Sequence, residues 1–142
     1  MRGNMQVLQQ SLKQAHHLVI VAPLWWGHLP ARLKGLLDRT LLSGFAFRYQ
    51  KGKAFPERLL AGKTARLLLT MDSPPWYYRW WLGAPVERTL AKPVLGLCGI
   101  QLTHRLHLGP VHTSGEAARQ RWLGQVGAAA RQDVQRLARR RA

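Results

Sequence analysis

Apolar residues along this chain recur with two different spacings, and the switch between them predicts an ordered series of helices and strands. Over residues 4–16, Met5, Leu8, Leu12 and Ala15 follow a three- and four-residue spacing. This predicts a short amphipathic helix with Asn4 as its cap. His16 and His17 then close it near the negative end of its dipole. Leu18 to Ala22 is apolar at every position, as befits a parallel strand covered on both faces. It stops at Pro23, and the loop Leu24-Trp25-Trp26-Gly27-His28 follows. A helix is expected over 30–42. Pro30 suits its first turn, Leu33, Leu36, Leu37 and Leu41 form its apolar face, and Ser43-Gly44 ends it with glycine as a left-handed cap.

Phe45 to Tyr49 reads as an extended aromatic segment, Gln50 to Pro56 as a loop, and Phe55 with Leu59-Leu60 as a short helical turn packed back on the domain. Ala65 to Thr70 is the second strand. Pro74-Pro75 forbids regular structure, and the aromatic cluster Trp76, Tyr77, Tyr78, Trp80 and Trp81 follows, punctuated by Gly83-Ala84-Pro85. Val86, Leu90, Val94 and Leu97 have helical spacing, yet Pro93 and Gly96 interrupt it. A proline inside a helix costs about 3 kcal/mol, so this helix either starts late, near Pro93, or is bent. His104 to Gly109 is the third strand, polar at alternate positions as an edge strand is. Thr113 and Glu116 read as a capping box for a last helix over about 115–138. Trp122, Val126, Ala130, Val134 and Leu137 form its apolar face, and Arg136, Arg139, Arg140 and Arg141 complement its C-terminal dipole.

Helices and strands thus alternate along one domain, residues 1–142, which predicts an α/β parallel sheet with right-handed crossovers. In such sheets ligands bind outside the carboxyl ends of the strands, here the loop after Ala22.

Charge changes the picture. Twenty-two Lys and Arg face six Asp and Glu, a net +16, although 46% of the chain is hydrophobic. Such basicity favours anionic partners: nucleic acid, anionic lipid or a phosphorylated cofactor. The alternative is a solvated arginine-rich surface, since only Arg136 to Arg141 form a dense cluster. No nucleic-acid-binding signature is present, so nucleic acid is not the expected partner. Cys98 is alone, which excludes a disulfide within the chain and suits a small buried residue. No signal peptide or membrane-spanning run is visible, so a cytoplasmic location is expected. His16 and His17 point about 100° apart on a helix. His104 and His107, three apart on a strand, face opposite sides, so no metal site is expected. No close acid–base pair, phosphate-binding P-loop or Ser–His–Asp spacing is present.

Several blocks carry a family resemblance. Pro23-Leu24-Trp25-Trp26-Gly27, Pro30-Ala31, Leu33-Lys34-Gly35, Asp38-Arg39 and Gly44-Phe45-Ala46-Phe47 resemble the flavodoxin-like NAD(P)H:quinone reductases. Thr70-Met71-Asp72-Ser73-Pro74-Pro75-Trp76-Tyr77-Tyr78 is similar to that family's second flavin loop, in the same order and spacing. The resemblance implies a flavodoxin-like sheet with helices on both faces. Three of the family's five strands are retained, and the first two, with the phosphate-binding loop, have no counterpart in these residues. Leu18–Ala22 would then be a bare apolar edge, open to pairing with another chain.

The resemblance further implies two-electron transfer from NAD(P)H through bound FMN or FAD to a quinone or similar acceptor, weakened by loss of the phosphate loop. Leu24, Trp25, Trp26 and Gly27 would cradle the flavin ring, and Thr70, Met71, Asp72 and Ser73 would lie along another edge. Tyr78 falls where some members place an acceptor-side tyrosine. The histidine that follows it in those members is absent here, with Ala84 near its place. Tyr77, Tyr78, Trp80 and Trp81 would wall an acceptor pocket or pack at a dimer interface. Family members are homodimers, and some sit on potassium-efflux transporters. The alternative is a non-catalytic basic protein that binds a transporter, nucleic acid or an anionic membrane.

Overall fold

Thr64–Thr70 is the strand on which the fold is built. Its sequence, TARLLLT, is buried at every position except the last, which is half-buried. Fully burying each of Leu67, Leu68 and Leu69 contributes about 1.5–3 kcal/mol, and runs of this kind survive only between two packed layers. The computed structural model describes residues 2–141. In chain order the elements are α1 (Arg2–Gln14), β1 (His17–Pro23), α2 (Ala31–Thr40), two short strands β2 (Phe47–Arg48) and β3 (Glu57–Arg58), and β4 (Thr64–Thr70). A π-helical turn Tyr77–Trp81, α3 (Pro85–Thr89) running into a second π-helical stretch Leu90–Gly96, β5 (Gln101–Leu108) and α4 (Glu116–Arg141) complete the chain.

The main sheet has the order β1-β4-β5, and both pairings are parallel. Ala65, Leu67 and Leu69 enter one core with Val86, Leu90, Leu95 and Ile100, against which Leu33 and Leu37 of α2 pack. The other face carries α4. There Arg66 meets Asp133, and His17 of β1 lies 3.2 Å from the same carboxylate. The sheet therefore has helices on both faces, as expected.

Among the described residues β1 pairs with β4 alone and is an edge strand. Val19 and Val21 are 56% and 63% exposed, so the expectation of cover on both faces fails while that of an apolar edge holds. A groove of about 320 Å³ runs along this edge, lined among others by Leu8, Leu12, Leu33 and Leu36.

Local expectations differ in six places. α1 already includes Asn4, which lies inside the helix instead of capping it, and His17 opens β1. Pro30 flanks α2 with ψ of 140°, outside its first turn. Gly44, at φ +87°, shapes the turn to β2 instead of capping α2, whose cap is Leu41. Residues 57–58 pair antiparallel with 47–48 and form no helical turn. α4 begins at Glu116, so Thr113 lies too far out for a capping box, and Glu116 instead accepts from Gln120. Along α4, Val134 is 66% exposed and Asp133 is buried, because the Arg66 guanidinium draws Asp133 toward the sheet. Pro93 sits within the π-helical stretch, whose wider hydrogen-bonding absorbs a residue that lacks an N–H.

Candidate functional site

The register aligns Pro23 of β1 with Thr70 of β4, so both strands end at the same level and their loops leave side by side. The Leu24 N–H donates to the Thr70 carbonyl at 2.7 Å and joins the two loops at their start. The resemblance-derived residues Leu24, Trp25, Trp26 and Gly27 are thereby brought beside Thr70, Met71, Asp72 and Ser73.

Trp25 and His28 exchange two backbone hydrogen bonds of 2.9 Å, which makes Trp26 and Gly27 the central residues of a tight turn. Both have positive φ, 51° and 76°. Glycine adopts that region freely, but a tryptophan there is strained by about 1–2 kcal/mol. Trp26 is nevertheless held there with its indole wholly in solvent. Such strain concentrates at functional sites.

On the second loop, Met71 donates to Leu108, and the chain after β5 crosses very close behind it. A Cβ on Gly109 would lie 2.5 Å from the Met71 carbonyl oxygen, so only glycine permits this approach. The Asp72 carboxylate accepts from the His112 backbone N–H at 3.0 Å and pins the same crossing from the outside. The N–H groups of Trp26, Gly27, Asp72 and Ser73 donate to no backbone or side-chain acceptor among the described residues. Four free amides at one sheet edge can hold carbonyl oxygens of a planar heterocycle and favour negative charge on it.

Tyr78 is fully buried. Its hydroxyl donates to Glu87 of α3 and accepts from the Val86 N–H at 3.2 Å, and the other Glu87 oxygen pairs with His107 of β5. The Tyr78 and His107 rings meet edge to face at 5.3 Å. Burial and donation to Glu87 push the phenol well above its ordinary pKa. Burial alone would raise the Glu87 carboxyl, but the hydrogen bonds from His107 and Tyr78 outweigh it and hold the group below the usual carboxylate value. This network fastens the π-helical turn to α3 and β5. Trp80 and Trp81 take no part in it and are 79% and 77% exposed, and Tyr77 meets Trp76 edge to face.

His104 and His107 do face opposite sides. His104 accepts from Arg136 on the α4 face, and burial together with that guanidinium lowers its pKa. No cluster of three metal-ligating side chains occurs among the described residues.

The family model described as flavodoxin-like fold matches residues 3–131. The chain belongs to the flavodoxin-like fold family. An uncharacterized NAD(P)H oxidoreductase of Haemophilus influenzae is 28% identical over 125 residues, covering 82% of this chain and 61% of that protein. An FMN-dependent NADH:quinone oxidoreductase of Bordetella avium is 33% identical over 92 residues, which is 63% of this chain and 42% of that protein. Among solved structures, a Streptococcus mutans protein superposes with a TM-score of 0.74 at 28% identity, covering 91% of this chain and 66% of that one. The chain thus spans about three-fifths of the Haemophilus relative's length and less of the Bordetella one.

In this flavodoxin-like chain the two loops leave the sheet side by side, and Glu87 and His107, which the sequence does not single out beside them, join Tyr78. One signal for Glu87 was present: a rare carboxylate set within the apolar spacing Val86, Leu90 and Val94. His107 carried none, because its partner lies twenty residues away on another element.

Proposed function

We propose that this chain holds the ring of a flavin, FMN in the first instance, against the paired loops, and that the site serves NAD(P)H-dependent reduction of a quinone-like acceptor. The single observation that carries the reading is the set of free amides at Trp26, Gly27, Asp72 and Ser73 on one sheet edge. The naming of the Bordetella relative as an FMN-dependent NADH:quinone oxidoreductase agrees with it.

Bound flavin would supply a ring that accepts hydride and passes on two electrons. The amides of Trp26 and Gly27 orient that ring from the first loop, and those of Asp72 and Ser73 from the second. Leu24 and Met71 form the apolar floor where the loops leave the sheet, with Thr70 linking them through its carbonyl. Trp25 and Trp26 cover the ring and exclude water from it. Tyr78, buried as it is, acts as a positioning residue: with Glu87 and His107 it holds the floor of the second loop in place.

A titration of the purified chain with FMN tests the reading. Saturable quenching of flavin fluorescence at one flavin per chain, followed by bleaching of flavin absorbance on addition of NADPH or NADH, is the expected result. A folded chain that quenches no flavin fluorescence at tens of micromolar, a range in which about 6 kcal/mol of binding energy registers, sinks it.

A further inference from the structure

A cavity of about 210 Å³ opens at the amino ends of the strands, lined among others by His17, Thr64, Asp133, Arg136, Arg139 and Arg140. Thr64 and Thr70 are the two ends of β4, so a strand length of about 20 Å separates this cavity from the paired loops. His17 is nine-tenths buried in its wall. The Nδ1 of that ring meets the Thr64 hydroxyl at 2.7 Å. Its Nε2 lies 3.2 Å from an Asp133 oxygen but out of line with it, and this buried nitrogen makes no hydrogen bond among the described residues. Buried polar atoms nearly always have a partner, so an orphan in a cavity wall points to a ligand.

The charge around that nitrogen sets the ligand's chemistry. Asp133 is the one carboxylate among the described residues of the wall, and Arg66 holds both of its oxygens. Three guanidinium groups remain unmatched. Arg136 donates to His104, and Arg139 and Arg140 meet no carboxylate among the described residues. Burial, with Arg136 and Arg66 close by, holds His104 below its ordinary pKa, as a positive local field does. The dipole of α4 accounts for little of this charge: a helix C-terminus carries about −0.5, against three full positive charges. Guanidinium forks match phosphate oxygens, and three of them suit a group of charge about −2 with three terminal oxygens. The cavity is smaller than the pockets of about 300–1,000 Å³ that take drug-sized ligands, so a phosphate on a short stem fits and a nucleotide does not.

We propose that this cavity binds a phosphate group, as inorganic phosphate or as the monoester of a small metabolite. Arg136, Arg139 and Arg140 clamp its oxygens, and the His17 Nε2–H donates to it. The Thr64 hydroxyl donates to Nδ1 of the same ring and so fixes the tautomer this requires. Bound phosphate then ties the end of α4 to the first residues of β1 and β4. The site stands apart from the flavin reading: it lies at the other end of the strands and is tested on the flavin-free chain.

The test is calorimetric titration and thermal melting of the chain with inorganic phosphate and, separately, with glycerol phosphate, each against chloride of equal ionic strength. The expected result is saturable binding at one site, with Tm raised by about 4 °C at a tenfold excess over the dissociation constant. R139Q/R140Q should weaken binding by roughly tenfold or more. R121Q/R131Q removes the same charge from the same helix away from the cavity and should change it little. All four side chains are exposed, and circular dichroism checks that each variant folds. In amide NMR spectra the signals of His17 and Thr64 should move on binding while those of Trp26 and Asp72 stay. Both probes binding through Arg139 and Arg140 supports the proposal, and the tighter of the two tells free phosphate from a monoester. Three results would overturn it: no saturable binding of either probe, equal losses in R139Q/R140Q and R121Q/R131Q, which would leave only attraction to the net +16, or spectral changes confined to the paired loops.

Discussion

Arg66 of β4 and Asp133 of α4 form a two-point ion pair across the sheet face, with Nε 2.5 Å from Oδ2 and Nη2 2.8 Å from Oδ1. Both side chains are more than nine-tenths buried. A buried pair of this kind adds little over an apolar pair of equal volume, but breaking it strands a charge. D133A should therefore cost about 3–5 kcal/mol, whereas R66L/D133L should cost much less than the sum of its single changes. Urea unfolding of the three variants measures the coupling. Additive costs would mean that the pair is solvated in solution.

The same carboxylate, with Glu87, sets the acid limb of stability. Both are held below their ordinary values, Asp133 because the hydrogen bond and charge of Arg66 outweigh its burial, Glu87 because His107 and Tyr78 outweigh its own. A group with a depressed folded pKa contributes its full stability above the unfolded value, which lies near 4 to 4.5, and loses it as pH falls through the lower folded value. Unfolding midpoints should thus hold at neutral pH and drop steadily below about pH 4.5. E87Q should start lower at neutral pH and fall less steeply in acid. A parallel acid limb in E87Q would remove Glu87 from this role.

How much of this was legible from the residues differs by element. The apolar runs Leu18–Ala22 and Ala65–Thr70 and the loops after them could be read directly, because each is an unbroken apolar stretch of strand length; only the second is buried on both faces, and the exposure of Val19 and Val21 at the sheet edge was not legible from that run. The register of α4 could not. Its apolar spacing favours Val134, but a long-range pair with Arg66 turns Asp133 inward, and periodicity within a helix is blind to a partner on a strand. The hairpin of β2 and β3 is only two residues on each side, too short for any alternation to show. Tyr78 could be placed by counting, but not its burial, which depends on Glu87 and His107 arriving from two other elements.

Trp26 offers a separation of stability from function. Its positive φ costs about 1 kcal/mol that glycine avoids, and its indole touches little of the protein. W26G should raise Tm by about 3 °C in a chain of this size. It should also weaken FMN binding, since the ring loses its cover. A thermal melt and a flavin titration on one preparation check both signs. Loss of Tm on substitution would show that the indole packs in solution and is not held out for a ligand.

Gly109 and Gly35 make an opposed pair. A Cβ on Gly109 would stand 2.5 Å from the Met71 oxygen, 2.8 Å from its Cγ and 3.1 Å from the Ser73 oxygen. Backbone cannot yield as a side-chain tip does, so G109A must push the Met71–Ser73 loop away from β5. The expected loss is about 1–3 kcal/mol, together with weaker flavin binding because the Asp72 and Ser73 amides move. Gly35 lies inside α2 with no atom within 4 Å of an added Cβ. G35A should stabilise the chain by about 1 kcal/mol through helix propensity, with flavin affinity unchanged. Chemical unfolding and FMN titration of the two variants measure the contrast. If G109A binds FMN as tightly as the parent chain, the amides of the second loop do not hold the ring, and the site must rest on the first loop alone.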